Sequence, residues 1–173
     1  MDTLSRTLIG IALSMSLLTT SLAEEWRSLL PGSTQVGQGQ LTRFGWSIYQ
    51  AQLWTQTGKY DPGQPFALKL IYDRDIAESR IVQASLDEML KLGAPVQERP
   101  GWRAILEQVI DDVKKGESLT GVYRPGEGAT FFHQDKRTGV MNEELARHFF
   151  AIWLDPRTSE PSLRQALLGA GVR

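Results

Sequence analysis

The side chains that carry most nucleophilic, acid–base and metal chemistry are scarce in this chain. Cysteine is absent, and histidine occurs twice, as His133 and His148. That excludes disulfides, thiolate nucleophiles, cysteine zinc sites and cysteine-ligated iron–sulfur clusters. It also leaves little for histidine-based metal binding or proton transfer. His133 and Asp135 flank an expected turn, and no G-x-S-x-G segment supplies a nucleophile, so we read no catalytic dyad there. Asp111 and Asp112 are neighbours in an expected helix, where adjacent side chains diverge by about 100° and do not converge on one metal. Gly37-Gln38-Gly39 lacks the third glycine and the following helix of a dinucleotide-binding loop. Neither a metal set nor a cofactor site emerges. Tyrosine remains: Tyr49, Tyr72 and Tyr123 all fall on expected strands, where the ring packs in the core and the hydroxyl reaches the rim. In a polar cleft that lowered its pKa, such a phenol would serve a proton-transfer isomerisation or cyclisation.

The frame for these groups is a chain of 173 residues, 41% hydrophobic and 23% charged. That is an ordinary globular composition with the length of a single domain. A net charge of -1 sets up no overall field to gather nucleic acid. Trp46, Trp54, Trp102 and Trp153 have no interleaved basic patch, so nucleic acid is not an expected partner. Residues 8–18 form one apolar run, shorter than the roughly 20 residues that cross a bilayer. Arg6 precedes the run, and Ser21-Leu22-Ala23 places small residues at the -3 and -1 positions of a peptidase site. This is the layout of a secretory signal peptide. The expectation is that residues 1–23 are an address cleaved after Ala23. Residues 24–173 would form one exported domain of a bacterial periplasm, with no transmembrane segment left once the signal is removed.

Periodicity then divides the mature chain. Residues 36–42 and 46–55, joined near Arg43-Phe44-Gly45, read as strands, and residues 57–65 as a Gly/Pro loop. Residues 66–73 alternate cleanly, with Phe66, Leu68, Leu70 and Tyr72 on one face and Ala67, Lys69, Ile71 and Asp73 on the other. A helix is expected over 75–92, capped by Asp75 with Glu78 three residues on, striped by Ile81, Val82, Leu86, Met89 and Leu90, and stopped by Gly93. A second helix starts near Pro100, carries Trp102, Ile105, Leu106, Val109 and Val113 on one face, and runs to Gly116. Residues 118–124 and 129–134 read as short strands around a turn. Asn142 caps a third helix with a stripe of Leu145, Phe149, Ile152 and Trp153, and residues 161–168 form a last one. Phe131-Phe132 and Phe149-Phe150 are each expected to put one ring on either side of their element. Strands and helices in separate runs predict an α+β domain, with helices layered on one face of an antiparallel sheet.

Several segments, in this order, carry a family resemblance: Val36–Gly39 with Phe44–Trp54, then Phe66–Ile76, Gly126–Phe132 and Phe149–Thr158. Together they resemble the bacterial chalcone isomerase-like proteins. The resemblance implies an open-faced β-sandwich, a curled antiparallel sheet against a layer of helices, with a ligand cleft between. It also implies one of two jobs, because the fold hosts an isomerase that closes a flavonoid ring and non-catalytic binders of fatty acids. Matched backwards from Leu92-Gly93, the isomerase's key Tyr and Asn fall on Ala77 and Ala84, and its strand Thr falls near Ala51 or Tyr49. Its Arg would fall within residues 36–39, where none occurs. A methyl group can neither orient water nor stabilise a phenolate, so the resemblance points to the non-catalytic branch.

In the fatty-acid binders a strand Tyr and an Arg hold the carboxylate. Tyr49 matches the Tyr, and Arg80 or Arg43 would supply the cation from another direction, through two parallel hydrogen bonds. Tyr72 and Tyr123 complete the expected ligand-binding set. The resulting expectation is an exported, non-catalytic protein binding a fatty acid or similar apolar small molecule, with no cofactor. The alternative is an intramolecular lyase of the chalcone isomerase type that uses one of the three tyrosines. A third reading, a docking module without ligand, predicts a cleft filled by Phe131, Met89 and Trp102.

Overall fold

The structure, a computed structural model, describes residues 24–170. The apolar run at residues 8–18 and the peptidase site after Ala23 lie outside the described residues. Six strands form one sheet in chain order: β1 (Thr34–Arg43), β2 (Trp46–Thr55), β3 (Phe66–Tyr72), β4 (Ser118–Arg124), β5 (Gly128–His133) and β6 (Lys136–Met141). Every neighbouring pair is antiparallel. Helices α1 (Glu78–Lys91) and α2 (Gly101–Val109) lie between β3 and β4, and α3 (Glu143–Leu154) and α4 (Pro161–Leu167) follow β6. This is the expected α+β architecture, an open sheet roofed by helices. No described helix is long and apolar enough to cross a membrane.

The alternation in β3 sorts its residues as the period of two requires. Phe66, Leu68, Leu70 and Tyr72 enter the main core with Ala51, Leu53, Leu119 and Phe131 from neighbouring strands. The helices close that core with Val82, Leu86 and Met89, with Trp102 and Leu106, and with Leu145, Phe149, Phe150 and Trp153. Asn142 caps α3 as expected, its Oδ1 accepting from the Leu145 amide at 2.9 Å.

The structure corrects the sequence reading at five places. First, the far face of the sheet is not bare. A 3-10 turn over Glu25–Leu29 sets Trp26 beside Leu30, Ala67, Val122 and Phe132, with the Arg27 guanidinium 4.5 Å from the Trp26 ring and 4.2 Å from that of Trp54. Second, β6 is a strand that the sequence did not announce. It is an edge strand held by backbone pairing with β5, and most of its side chains are not buried, so alternation has little to record.

Third, Asp75 does not cap α1. It accepts from the Lys115 amide at 2.8 Å, and the Glu78 amide is satisfied by Asp112 Oδ1 at 2.7 Å. Fourth, α2 stops at Val109 instead of running on to Gly116. Ile76 and Val113 exchange backbone hydrogen bonds of 2.9 and 3.0 Å, so the segment after α2 is extended and ties the start of α1 to the sheet. Fifth, Phe131 and Phe132 do split across the sheet, but Phe149 and Phe150 both enter the core. Adjacent helical side chains are about 100° apart, so a broad inward face takes both.

Candidate functional site

Between sheet and helices lies a cavity of about 330 Å³, within the range of about 300–1,000 Å³ usual for small-molecule sites. Its inner wall is apolar: Leu68, Leu70, Leu119 and Phe131 from strands, Ile110 from the extended segment, and Phe149 and Phe150 from α3. Gly121 forms part of this wall because no larger residue fits. A Cβ there would stand 2.8 Å from Phe150 Cζ and 2.9 Å from Phe131 Cε1. Polar groups gather elsewhere on the lining: Arg43 from the end of β1, Tyr49 from β2, Arg80 and Glu88 from α1, and Thr158, Ser159 and Glu160 from the segment between α3 and α4.

Tyr49 and Tyr72 are register partners on β2 and β3. Their rings meet edge to face at 5.7 Å. The Tyr49 hydroxyl accepts a hydrogen bond from Trp153 Nε1 at 2.9 Å. Burial pushes both phenols far above the ordinary tyrosine range. At Tyr49 the Trp153 hydrogen bond opposes that rise, and the Glu160 charge adds to it. They are therefore neutral hydroxyls, suited to hydrogen bonding and not to proton abstraction. Arg43 is ion-paired with Glu160. Burial works against the charge of Glu88, but Lys91 at 2.7 Å and Ser159 at 2.6 Å outweigh it and hold the carboxyl below its ordinary value. Arg80 is exposed at the lip and has no ion-pair partner among the described residues.

Four of the sequence candidates, Arg43, Tyr49, Tyr72 and Arg80, thus come together on one cavity. Tyr123 does not join them. Its hydroxyl donates to Glu143 Oε1 at 2.8 Å, and burial together with that carboxylate pushes it up to about 12. It lines a wider groove of about 870 Å³ with Lys59, Tyr60, Arg147 and Arg164, and Phe150 is the wall that this groove shares with the cavity. Sequence reasoning missed Trp153 as the partner of Tyr49, and Glu88, Ser159 and Glu160 at the rim. No local signal marks them, since each is brought in from a distant element.

The remaining candidates lie elsewhere. His133 meets Asp111 at 3.3 Å and Glu117 at 3.0 Å, not Asp135. Ala77 sits at the N-cap of α1 and Ala84 on the cavity lining, where there is no asparagine. Phe131 lines the cavity without filling it, while Met89 and Trp102 are buried in the helix–sheet core. The cleft is therefore open, contrary to the docking-module reading.

All four tyrosines of the chain are raised, chiefly by burial. The native state holds their protons more tightly than the unfolded chain does. Their stabilising contribution is therefore complete below about pH 10 and is lost as pH rises beyond it. We expect an absorbance titration to show tyrosinate only above about pH 10, appearing together with unfolding. A phenol ionising near neutrality in the folded protein would contradict this.

Comparison with known proteins agrees with the geometry. A family model described as chalcone isomerase-like matches residues 37–169. Among solved structures, the crystal structure of the Arabidopsis thaliana fatty-acid binding protein AtFAP1 is similar, with a TM-score of 0.61 and 10% identity, covering 81% of this chain and 88% of that one. At that identity the likeness is one of fold. No curated protein sequence matches. The family match runs from β1 to the end of α4 and takes in every strand and helix around the cavity, and the chain belongs to the chalcone isomerase-like family.

Proposed function

We propose that the protein is exported and binds a fatty acid or similar apolar amphiphile in the cavity, without catalysing a reaction on it. The observation that carries this reading is an apolar chamber with Arg80 at its lip, an arginine without an ion-pair partner among the described residues. The chamber takes the tail: each buried methylene contributes about 0.8 kcal/mol, so eight give about 6 kcal/mol before ordering costs. A carboxylate is expensive to bury without a cation, so the head group belongs at the lip, where a guanidinium can grip it with two hydrogen bonds. Tyr72, which lines the same cavity, offers a neutral hydroxyl. The fold likeness to a fatty-acid binding protein supports the ligand class. Alanine at positions 77 and 84 and tyrosines that hold their protons support the non-catalytic reading. Export rests on the leader-like residues 1–23.

Titration with medium- and long-chain fatty acids and the corresponding alcohols tests the site. Acids are expected to bind. Arg80→Gln is expected to weaken the acids about 10- to 100-fold, the worth of a hydrogen bond to a charged group, and to leave the alcohols unchanged. Failure of both ligand classes, with no lipid extracted from protein recovered from the periplasm, would overturn the reading. Fractionation with N-terminal mass analysis tests export: a mature chain starting at Glu24 is expected, and a full-length cytoplasmic chain would refute it.

A further inference from the structure

The turn between β1 and β2 presents two large apolar rings to solvent. Phe44 is 99% exposed and Trp46 64% exposed. The pairing of Arg43 with Trp46 leaves a two-residue loop, Phe44-Gly45, whose φ angles of 51° and 78° are both positive. Tight hairpin turns of this kind favour Asn-Gly, because a bulky residue at positive φ is strained. The chain therefore accepts backbone strain to hold a phenylalanine where it packs against nothing, and such strain concentrates at functional positions. The turn also stands at the cavity: Arg43, just before it, and Ile48, just after it, both line the lip.

We propose that this turn is a membrane-docking prong, with Phe44 and Trp46 entering the interfacial layer of a lipid bilayer and holding the cavity mouth against it. Tryptophan favours that layer, and arginines beside an inserted apolar group meet head-group phosphates. The charges fit. Glu160 is paired with Arg43 and Glu88 with Lys91, while Asp73 keeps its charge and is hydrogen-bonded by Ser47 and Gln40. Arg74, whose guanidinium lies 5.8 Å from the Trp46 ring, and Arg80 have no ion-pair partner among the described residues. A protein partner is the poorer fit. A stable interface covers about 800 Å² per partner, whereas here two rings stand on a polar surface that includes Gln40, Arg43 and Arg74. What crosses the mouth rests on the ligand reading above; the docking itself does not.

The test uses the full chain and vesicles of phosphatidylethanolamine and phosphatidylglycerol, with and without brominated acyl chains. Trp26, Trp102 and Trp153 are buried and Trp54 is half-buried beneath the Arg27 guanidinium, so the part of a lipid-induced emission change that Trp46→Phe removes is the part that reports on Trp46. The emission is expected to shift to the blue and to be quenched by the brominated lipid, and Trp46→Phe is expected to remove that component. Phe44→Asn, which suits the turn, is expected to weaken vesicle binding about tenfold without loss of thermal stability or of fatty-acid binding in solution. Residues 8–18 are common to all variants, so a difference between variants reports on the turn. The proposal is overturned if Trp46 stays as open to aqueous acrylamide with vesicles as without, or if Phe44→Asn binds vesicles unchanged. It is also overturned if the blue shift follows protein concentration in the absence of lipid, which would mark a second copy as the occupant. Insertion of Trp46 with no fatty-acid binding would defeat the ligand reading and leave the prong standing; the reverse result would defeat the prong alone.

Discussion

Replacing Phe150 by alanine is expected to cost about 3–5 kcal/mol of stability, the range for truncating a buried aromatic, and to shift ligand preference toward longer chains. Phe150 is 3% exposed and is the hub of an aromatic cluster. Its ring centroid lies 5.0 Å from Phe66, 5.5 Å from Phe149, 5.8 Å from Tyr123 and 6.1 Å from Phe131. Its ring also fits over Gly121, where a Cβ would collide with it. Removing it strips contacts from four rings that other partners hold in place, Phe66 with Tyr123 and Phe131 with Phe149, so the site collapses only in part and the void remains. The same ring is the wall between the 330 Å³ cavity and the 870 Å³ groove, so the alanine variant joins the two spaces. Urea unfolding measures the first effect. Competition between short- and long-chain acids measures the second, with Phe150→Leu as a better-folded variant that keeps most of the wall. Stability lost with chain-length preference unchanged would show that the two spaces do not communicate through this side chain.

Gly37→Ala is expected to be at least as damaging as an ordinary overpacked core, about 3 kcal/mol or more, and more damaging than Gly39→Ala. A Cβ at position 37 would stand 2.1 Å from the Ala166 carbonyl oxygen, 2.6 Å from that of Leu167 and 2.9 Å from the Gly169 amide. These are backbone atoms at the end of α4 and cannot turn aside, so the helix must leave the sheet. At Gly39 the nearest atom is Leu163 Cδ1 at 2.7 Å, the end of a side chain that can rotate away, and the Ala166 Cβ at 2.9 Å asks for a smaller backbone shift than the 2.1 Å contact at position 37. Because Thr158, Ser159 and Glu160 lead directly into α4, displacing the helix should also weaken ligand binding at the lip. Unfolding curves of the two variants check the ranking, and equal midpoints would refute it. The Gly-x-Gly segment thus serves close backbone approach, not phosphate binding.

Much of the frame was legible in one dimension. The alternation of Phe66, Leu68, Leu70 and Tyr72 specified a strand with its buried face, and the stripes of α1 and α3 specified their inward sides, except that Leu90, at the edge of the α1 stripe, is 47% exposed. Asn142 marked a helix start. Tyr49 and Tyr72 were placed on strands, and Arg80 on a helix that roofs them. These readings succeed because periodicity records, residue by residue, which side of an element leaves water. What the period does not encode is which element arrives on the other side. The end of α2 at Val109 follows from a bridge between Ile76 and Val113, and the satisfied amide at Glu78 follows from Asp112 in another segment. Trp153 reaches Tyr49 across 104 positions of chain. The two arginines near the cavity look alike in sequence, yet Arg43 is spent on Glu160 while Arg80 has no such partner among the described residues. Local pattern set the faces. Tertiary packing decided which charges are matched, where space is left open, and which rings remain at the rim with nothing to cover them.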